Sequence, residues 1–334
     1  MKPKAAGVVV PLLTPFTEDG AVDYQGLESL LTHIIGGGAD GIFQLSTSGE
    51  YVRLTPEEKA ELAACTMRLA KGKITTYLGI SDASLEQVLA NIRAYAPFMP
   101  DFFVCSLPYY YPVLAEEEIV GFFEAVIKAS PVPVVLYNIP VTCGGKITLP
   151  ALEKLLALPN LAGIKDSSGD RDYLQALAAL KQARPDFTVL AGNEGDILFG
   201  LEKGCDGMVP SMGNAFPEIF AALQQTFRAG DWQSARALQQ IVDGMNKLNA
   251  FSPSWMSAMV WRKAALAQMQ ICGQTMRQPC AALPQKQQEN LMRILSAYQS
   301  LLPLFAQVKT GEISSEIASD ALRHSREILE QLAV

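Results

Sequence analysis

Between residues 7 and 229 short apolar runs alternate with segments of helical periodicity, and this rhythm restricts the chain to very few folds. The runs fall at residues 7–11, 41–45, 74–79, 102–105, 134–137, 161–165, 187–191 and 207–209. They are brief and mostly apolar, without alternation, which is how parallel strands buried on both faces read. The intervening segments carry helix signals. Leu27, Leu30, Leu31 and Ile34 share one face, and Gly36-Gly37-Gly38 ends that stretch. Thr55-Pro56-Glu57-Glu58 and Ser84-Leu85-Glu86-Gln87 are capping boxes. Ile119, Phe122, Phe123, Val126 and Ile127 form a broad stripe that Pro131 ends, and Pro217 opens a helix with Ile219, Phe220, Leu223 and Phe227 inward. Eight strand–helix units in about 220 residues predict a closed (β/α)8 TIM barrel. An open doubly wound sheet is the alternative, since local pattern does not show closure. The absence of a GxGxxG turn after the first run weakens its dinucleotide-binding version. After residue 230 the strand pattern stops. Residues 232–248, 254–271, 284–308 and 313–332 read as helices. The expected organisation is a catalytic barrel at 1–229 and a C-terminal helical region at 230–334.

Composition removes several functional classes. At 334 residues and 49% hydrophobic, the chain can bury a large core. Its net charge is −7 and Lys/Arg form no cluster, which argues against a nucleic-acid surface. The six cysteines contain no CxxC pair, and His33 and His324 are far apart in sequence, which argues against a zinc or iron–sulfur site. No signal-peptide h-region follows Met1, and no run of about 18 apolar residues exists, so a membrane span is not expected. Reduced thiols in the cytoplasm are the simple reading.

A barrel of this type carries its chemistry at the C-terminal ends of its strands. Lys165 ends the apolar run Leu161-Ala162-Gly163-Ile164, so its stem is expected in the barrel mouth. Burial disfavours the ammonium form, and a free amine attacks a ketone to give an electron-withdrawing iminium. A lysine paired with Asp166 is the plainer reading. Tyr137 ends the neighbouring run and offers a hydroxyl for proton transfer, or else simply fills the barrel. Ser46-Thr47-Ser48-Gly49 offers hydroxyls and backbone N–H groups, a cradle for a carboxylate or an ordinary polar loop. Tyr109, Tyr110 and Tyr111 suit an interface.

Five motifs occur in order: Leu13-Thr14-Pro15-Phe16, Ser46-Thr47-Ser48-Gly49-Glu50, Pro108-Tyr109-Tyr110, Tyr137-Asn138-Ile139-Pro140 and Gly163-Ile164-Lys165-Asp166. Together they resemble the dihydrodipicolinate synthase/N-acetylneuraminate lyase superfamily of Schiff-base aldolases, from about residue 7 to about residue 300. The resemblance implies that Lys165 forms the Schiff base with pyruvate and that Tyr137 transfers protons. It implies a relay through Thr47 and through Tyr110, the latter donated across a subunit interface. Ser48 and its neighbouring amides match the pyruvate-carboxylate site, and Val209 matches the pocket wall. Gly192, Glu194 and Ser211 fall where lyases of the family meet the rest of the substrate. The resemblance further implies a homotetramer of paired dimers, with no metal or organic cofactor. Dihydrodipicolinate synthases carry an arginine five residues after the central tyrosine, a bidentate clamp for a second carboxylate. Here that residue is Thr142, followed by Cys143, and sialic-acid lyases tend to have an apolar residue there. With Ser167, Asn193, Glu194 and Ser211 making a hydroxyl-friendly wall, the expected substrate is a 2-keto-3-deoxy sugar acid, cleaved to or formed from pyruvate and an aldehyde. Dihydrodipicolinate synthesis, sialic-acid cleavage, dehydration of a 2-keto-3-deoxy acid on the same Schiff base, and a non-catalytic binding protein are the alternatives.

Overall fold

The computed structural model describes residues 4–252, 259–280, 283–303, 320–321, 323–325 and 327. Eight parallel strands follow one another in chain order around a closed barrel. They are β1 (Gly7–Pro11), β2 (Gly41–Gln44), β3 (Thr75–Gly79), β4 (Phe102–Ser106), β5 (Val134–Asn138), β6 (Leu161–Asp166), β7 (Thr188–Ala191) and β8 (Gly207–Met208). Pairing of Gly7 with Gly207 and Val8 with Met208 joins the last strand to the first. That seam decides between the barrel and the open sheet, and it requires glycine: a Cβ on Gly207 would stand 2.2 Å from the Gly7 carbonyl oxygen.

The helices are α1 (Tyr24–Gly37), α2 (Pro56–Ala70), α3 (Leu85–Tyr95), α4 (Glu116–Ala129), a single turn α5 (Pro140–Cys143), α6 (Leu149–Leu155), α7 (Arg171–Ala179), α8 (Ile197–Glu202), α9 (Pro217–Arg228), α10 (Trp232–Asn246), α11 (Met259–Gln268) and α12 (Gln285–Gln299). The local signals act where the sequence puts them. Ser84 caps α3 by accepting from the Gln87 N–H at 3.3 Å. Gly38 ends α1 with φ 95°, a left-handed cap. The stripe on α4 is buried at Ile119, Phe122, Phe123, Val126 and Ile127. The strands differ from the expectation by about one residue at their ends. β5 and β6 each run one residue further because Asn138 and Asp166 are paired in register and hydrogen-bonded through their side chains.

The chain packs as two compact units, each discontinuous in sequence. Of the described residues, those within Met1–Val9, Asp40–Ser46 and Pro56–Val209 form the first; those within Val10–Ala39, Thr47–Thr55 and Pro210–Val334 form the second. The first holds the barrel, to Val9 in β1, with α2–α8. Val134, Val135, Leu136, Ile164, Val189 and Leu190 are buried in its strands. The second is helical. In it a Cβ on Gly37 would lie 2.1 Å from the Pro217 ring, so that glycine lets α1 approach α9. Asn214 accepts from the Leu13 N–H at 3.0 Å and donates to the Pro11 and Ser211 carbonyls at 2.9 Å each. Ile219, Phe220 and Leu223 of α9 and Leu238, Ile241 and Val242 of α10 are buried. Of the expected later helices, α10, α11 and α12 are present. Residues 254–258 of the second expected helix segment, 304–308 of the third and most of 313–332 lie outside the described residues. No helix among the described residues is long and apolar enough to cross a membrane.

Candidate active site

Strand register builds the site in the first unit. Tyr137 pairs with Lys165, and Asn138 with Asp166. Side chains alternate along a strand, so Tyr137 and Lys165 share one face while Asn138 and Asp166 share the other. The Lys165 amine lies over the Tyr137 ring, 3.9 Å from its centroid, and 5.4 Å from the centroid of Phe43 on β2. Phe43 and Tyr137 meet edge to face, with centroids 6.3 Å apart. Lys165 is 5% exposed. Two aromatic faces favour a cation at this point, whether ammonium or iminium.

The plainer reading of Lys165, a salt link with Asp166, does not form. Among the described residues Lys165 has no ion pair. Asp166 accepts from the Asn138 amide at 2.7 Å, the Ser168 N–H at 3.3 Å and the Ser168 hydroxyl at 2.9 Å. Burial pushes the Asp166 carboxyl above its usual range, while the bonds from Asn138 and Ser168 pull it back. Asn138 also accepts from the Ile147 N–H at 3.0 Å. A polar network on the outer face thus holds the ends of β5 and β6 and keeps Asp166 engaged away from the inner amine.

The other candidates divide between the units. In the first, the strand ends are laced by backbone bonds: Ser167 N–H to the Asn138 carbonyl at 2.9 Å, Gly192 N–H to the Asp166 carbonyl at 2.7 Å, and Val209 N–H to the Ala191 carbonyl at 2.8 Å. Val209 is buried, Ser167, Gly192 and Glu194 are half-buried, and Thr142 is exposed, its hydroxyl donating to the Ile139 carbonyl at 3.2 Å. Tyr110 is 83% exposed with φ 82°, a left-handed backbone unusual for an aromatic residue and often a mark of function. Tyr109 instead turns its hydroxyl onto Asp82 at 3.2 Å. In the second unit lie Thr47 and Ser48, both half-buried, and Ser211, which opens a short 3-10 turn.

Gly192 explains itself by contact. A Cβ there would fall 2.2 Å from the Ser167 hydroxyl and 2.9 Å from Cε of Lys165. The Gly192→Ala variant is therefore expected to displace the lysine stem and lower kcat/KM about 10²-fold, the scale of a misplacement near 1 Å. Steady-state kinetics beside a melting curve checks this; an unchanged kcat/KM would refute it.

Sequence reasoning missed four groups. Phe43 sits in an apolar run with nothing to single it out. Asn138 lies inside the Tyr137-Asn138-Ile139-Pro140 motif and carries no signal of its own. Glu50 likewise received no role, and Lys263 lies in a helical region with no recognisable motif. Glu50 and Lys263 are both 0% exposed and ion-paired at 2.8 Å across 213 residues of sequence. The one available signal was charge inside apolar surroundings, Arg262-Lys263 between Val260 and Leu266.

Among the described residues no group of three or more His, Cys, Asp or Glu side chains is arranged to hold a metal ion. Comparison with known proteins agrees with this architecture. The model of the dihydrodipicolinate synthetase family matches residues 4–298. An uncharacterised DapA-like lyase of Pyrococcus horikoshii is 34% identical over 77% of this chain and 90% of its own. A putative 2-dehydro-3-deoxy-D-gluconate aldolase, YagE of Escherichia coli K12, is 31% identical over 70% of this chain and 78% of its own. The crystal structure of YagE in complex with pyruvate superposes with a TM-score of 0.82 at 25% identity, covering 87% of this chain and 98% of that one. With the match spanning most of its length, the chain belongs to the dihydrodipicolinate synthetase family.

Proposed function

We propose that the protein is a Schiff-base lyase that cleaves a 2-keto-3-deoxy sugar acid to pyruvate and an aldehyde, or joins them. The observation that carries this reading is the Lys165 amine, buried, without a counter-ion among the described residues, and stacked on Tyr137. The name and the pyruvate of the YagE relative support it.

In this reaction the Lys165 amine adds to the C2 carbonyl of the 2-oxo acid and water leaves, giving an iminium. Loss of the C4 hydroxyl proton drives cleavage of the C3–C4 bond. The electron pair passes into the iminium to give an enamine, and the aldehyde departs. Protonation at C3 and hydrolysis then release pyruvate and free the amine. Tyr137 moves the proton, with Thr47 and Tyr110 as relay. The exposed Tyr110, beside Tyr111 and Leu114, which are exposed as well, suits a tyrosine contributed to a neighbouring subunit of a homotetramer. Ser48 and the adjacent amides take the carboxylate, Val209 walls the pyruvate pocket, and Ser167, Gly192, Glu194 and Ser211 meet the hydroxylated remainder. Thr142 carries no charge, which disfavours a second carboxylate at that point.

The test is a panel of 2-keto-3-deoxy acids with pyruvate and aldehyde release measured directly. Carbon–carbon cleavage supports the proposal; loss of water with the skeleton intact makes the protein a dehydratase. Tyr137→Phe keeps the ring under the amine and removes only the hydroxyl. It is expected to lower kcat about 10²–10⁴-fold, as loss of a general acid/base does. A kcat within threefold of wild type would remove Tyr137 from that role.

A further inference from the structure

We propose that Glu50 is a positioning residue: its buried carboxylate, clamped from three sides, fixes the Thr47-Ser48-Gly49 turn in the shape that receives the carboxylate of the 2-oxo acid. This rests on the functional reading above, in which that turn is the carboxylate cradle.

The clamp lies wholly within the helical unit. One carboxylate oxygen of Glu50 accepts from the Lys263 ammonium at 2.8 Å. The other accepts from the Arg53 guanidinium at 2.7 Å and the Arg277 N–H at 3.2 Å. Each partner is itself tied down. Lys263 also donates to the Thr275 carbonyl at 2.8 Å and stands 4.3 Å from the centroid of the Phe16 ring. Arg277 donates to the Gly20 carbonyl at 2.8 Å and the Arg53 carbonyl at 3.1 Å, with its guanidinium 4.8 Å from the same Phe16 ring. Lys263 and Arg277, remote from Glu50 in sequence, thus meet on its carboxylate, with the Phe16 ring against both cations.

Backbone geometry links that side chain to the turn. The Glu50 N–H donates to the Thr47 carbonyl at 3.1 Å, closing the turn, and the Glu50 carbonyl accepts from the Arg53 N–H at 2.8 Å. The Gly49 carbonyl accepts from the Thr14 hydroxyl at 2.6 Å. Glu50 itself has φ 57°, a left-handed conformation that a glutamate adopts only when its surroundings impose it. Glycine would take this φ without strain. Glutamate is there instead, and what it adds is the clamp. A buried ion pair is weak evidence for stability, since an apolar replacement of similar volume often serves as well; fixing one conformation is the use left to it. Burial lowers the affinity of the Lys263 amine for its proton, and the Glu50 carboxylate opposes that shift, so each charge of the pair depends on the other.

The probe is pyruvate itself, through borohydride trapping on the full chain, with the extent of labelling followed against pyruvate concentration. Glu50→Gln keeps the shape and removes the charge. Half-saturating pyruvate is expected to rise about tenfold or more, while the trapped fraction at saturation stays within about threefold of wild type. A merely structural role gives the other pattern: misfolded molecules lower the plateau and leave half-saturation unmoved, and that result overturns the proposal. Lys263→Arg retains the charge in a different shape and should shift half-saturation less than Lys263→Met. If Glu50→Gln does not fold, as judged by circular dichroism, Lys263→Met carries the test: raised half-saturation supports the proposal and an unchanged value overturns it. Wild-type protein that traps no pyruvate is a separate failure; it defeats the functional reading and this inference with it.

Discussion

Borohydride reduction in the presence of pyruvate is expected to leave one covalent adduct on the protein, at Lys165, with the mass of pyruvate less one water plus two hydrogens. The amine is buried and stacked on Tyr137, while Asp166 is engaged on the opposite strand face by Asn138 and Ser168. Lys165→Met should abolish the adduct and lower kcat/KM about 10⁴-fold or more, the scale on which removing a nucleophile acts. Lys165→Arg should be equally inactive, because a guanidinium stays protonated and offers no free amine. Neither change should weaken the fold greatly, and Lys165→Met should be neutral or stabilising, since it removes a buried amine with no ion pair among the described residues. Peptide mapping of the reduced protein gives the site of modification. An adduct on any other lysine, with Lys165→Met still active, would defeat the assignment.

The second large effect is on stability. Lys263→Met should destabilise the protein by about 3 kcal/mol, the lower end of the range for breaking a buried pair, because Arg53 and the Arg277 N–H still hold one oxygen of Glu50. The cost comes from stranding a carboxylate that has no access to water, both partners being fully buried. Glu50→Gln combined with Lys263→Met removes both charges and should recover part of the loss. Urea unfolding of the single and double variants measures this as shifts in midpoint. Equal midpoints for wild type and Lys263→Met would show that the pair carries no folding energy.

Much of the barrel was legible because its grammar is local. Strand after strand announced itself by a short apolar run, and α3 and α4 by caps and stripes that the structure reproduces. The strand-end positions of Lys165 and Tyr137 were legible for a related reason: each is a polar group closing an apolar run. Their mutual geometry was not. Whether Lys165 paired with Asp166 or faced Tyr137 depended on strand alternation and on the register of β5 against β6, to which a run of letters gives no access. Phe43 was invisible for the same reason, being one apolar residue among several until β2 turned it toward the amine.

What the amino-acid order decided by itself, then, is the succession of strands and helices and the residue types waiting at the strand ends, because helix caps, periodicity and apolar runs act over a few residues. The tertiary structure decided closure at the Gly7–Gly207 seam, the stacking of Lys165 on Tyr137, and the meeting of Glu50 with Lys263 across 213 positions. These are contacts between segments remote along the chain, and they become energetically meaningful only when packing has removed the water between them.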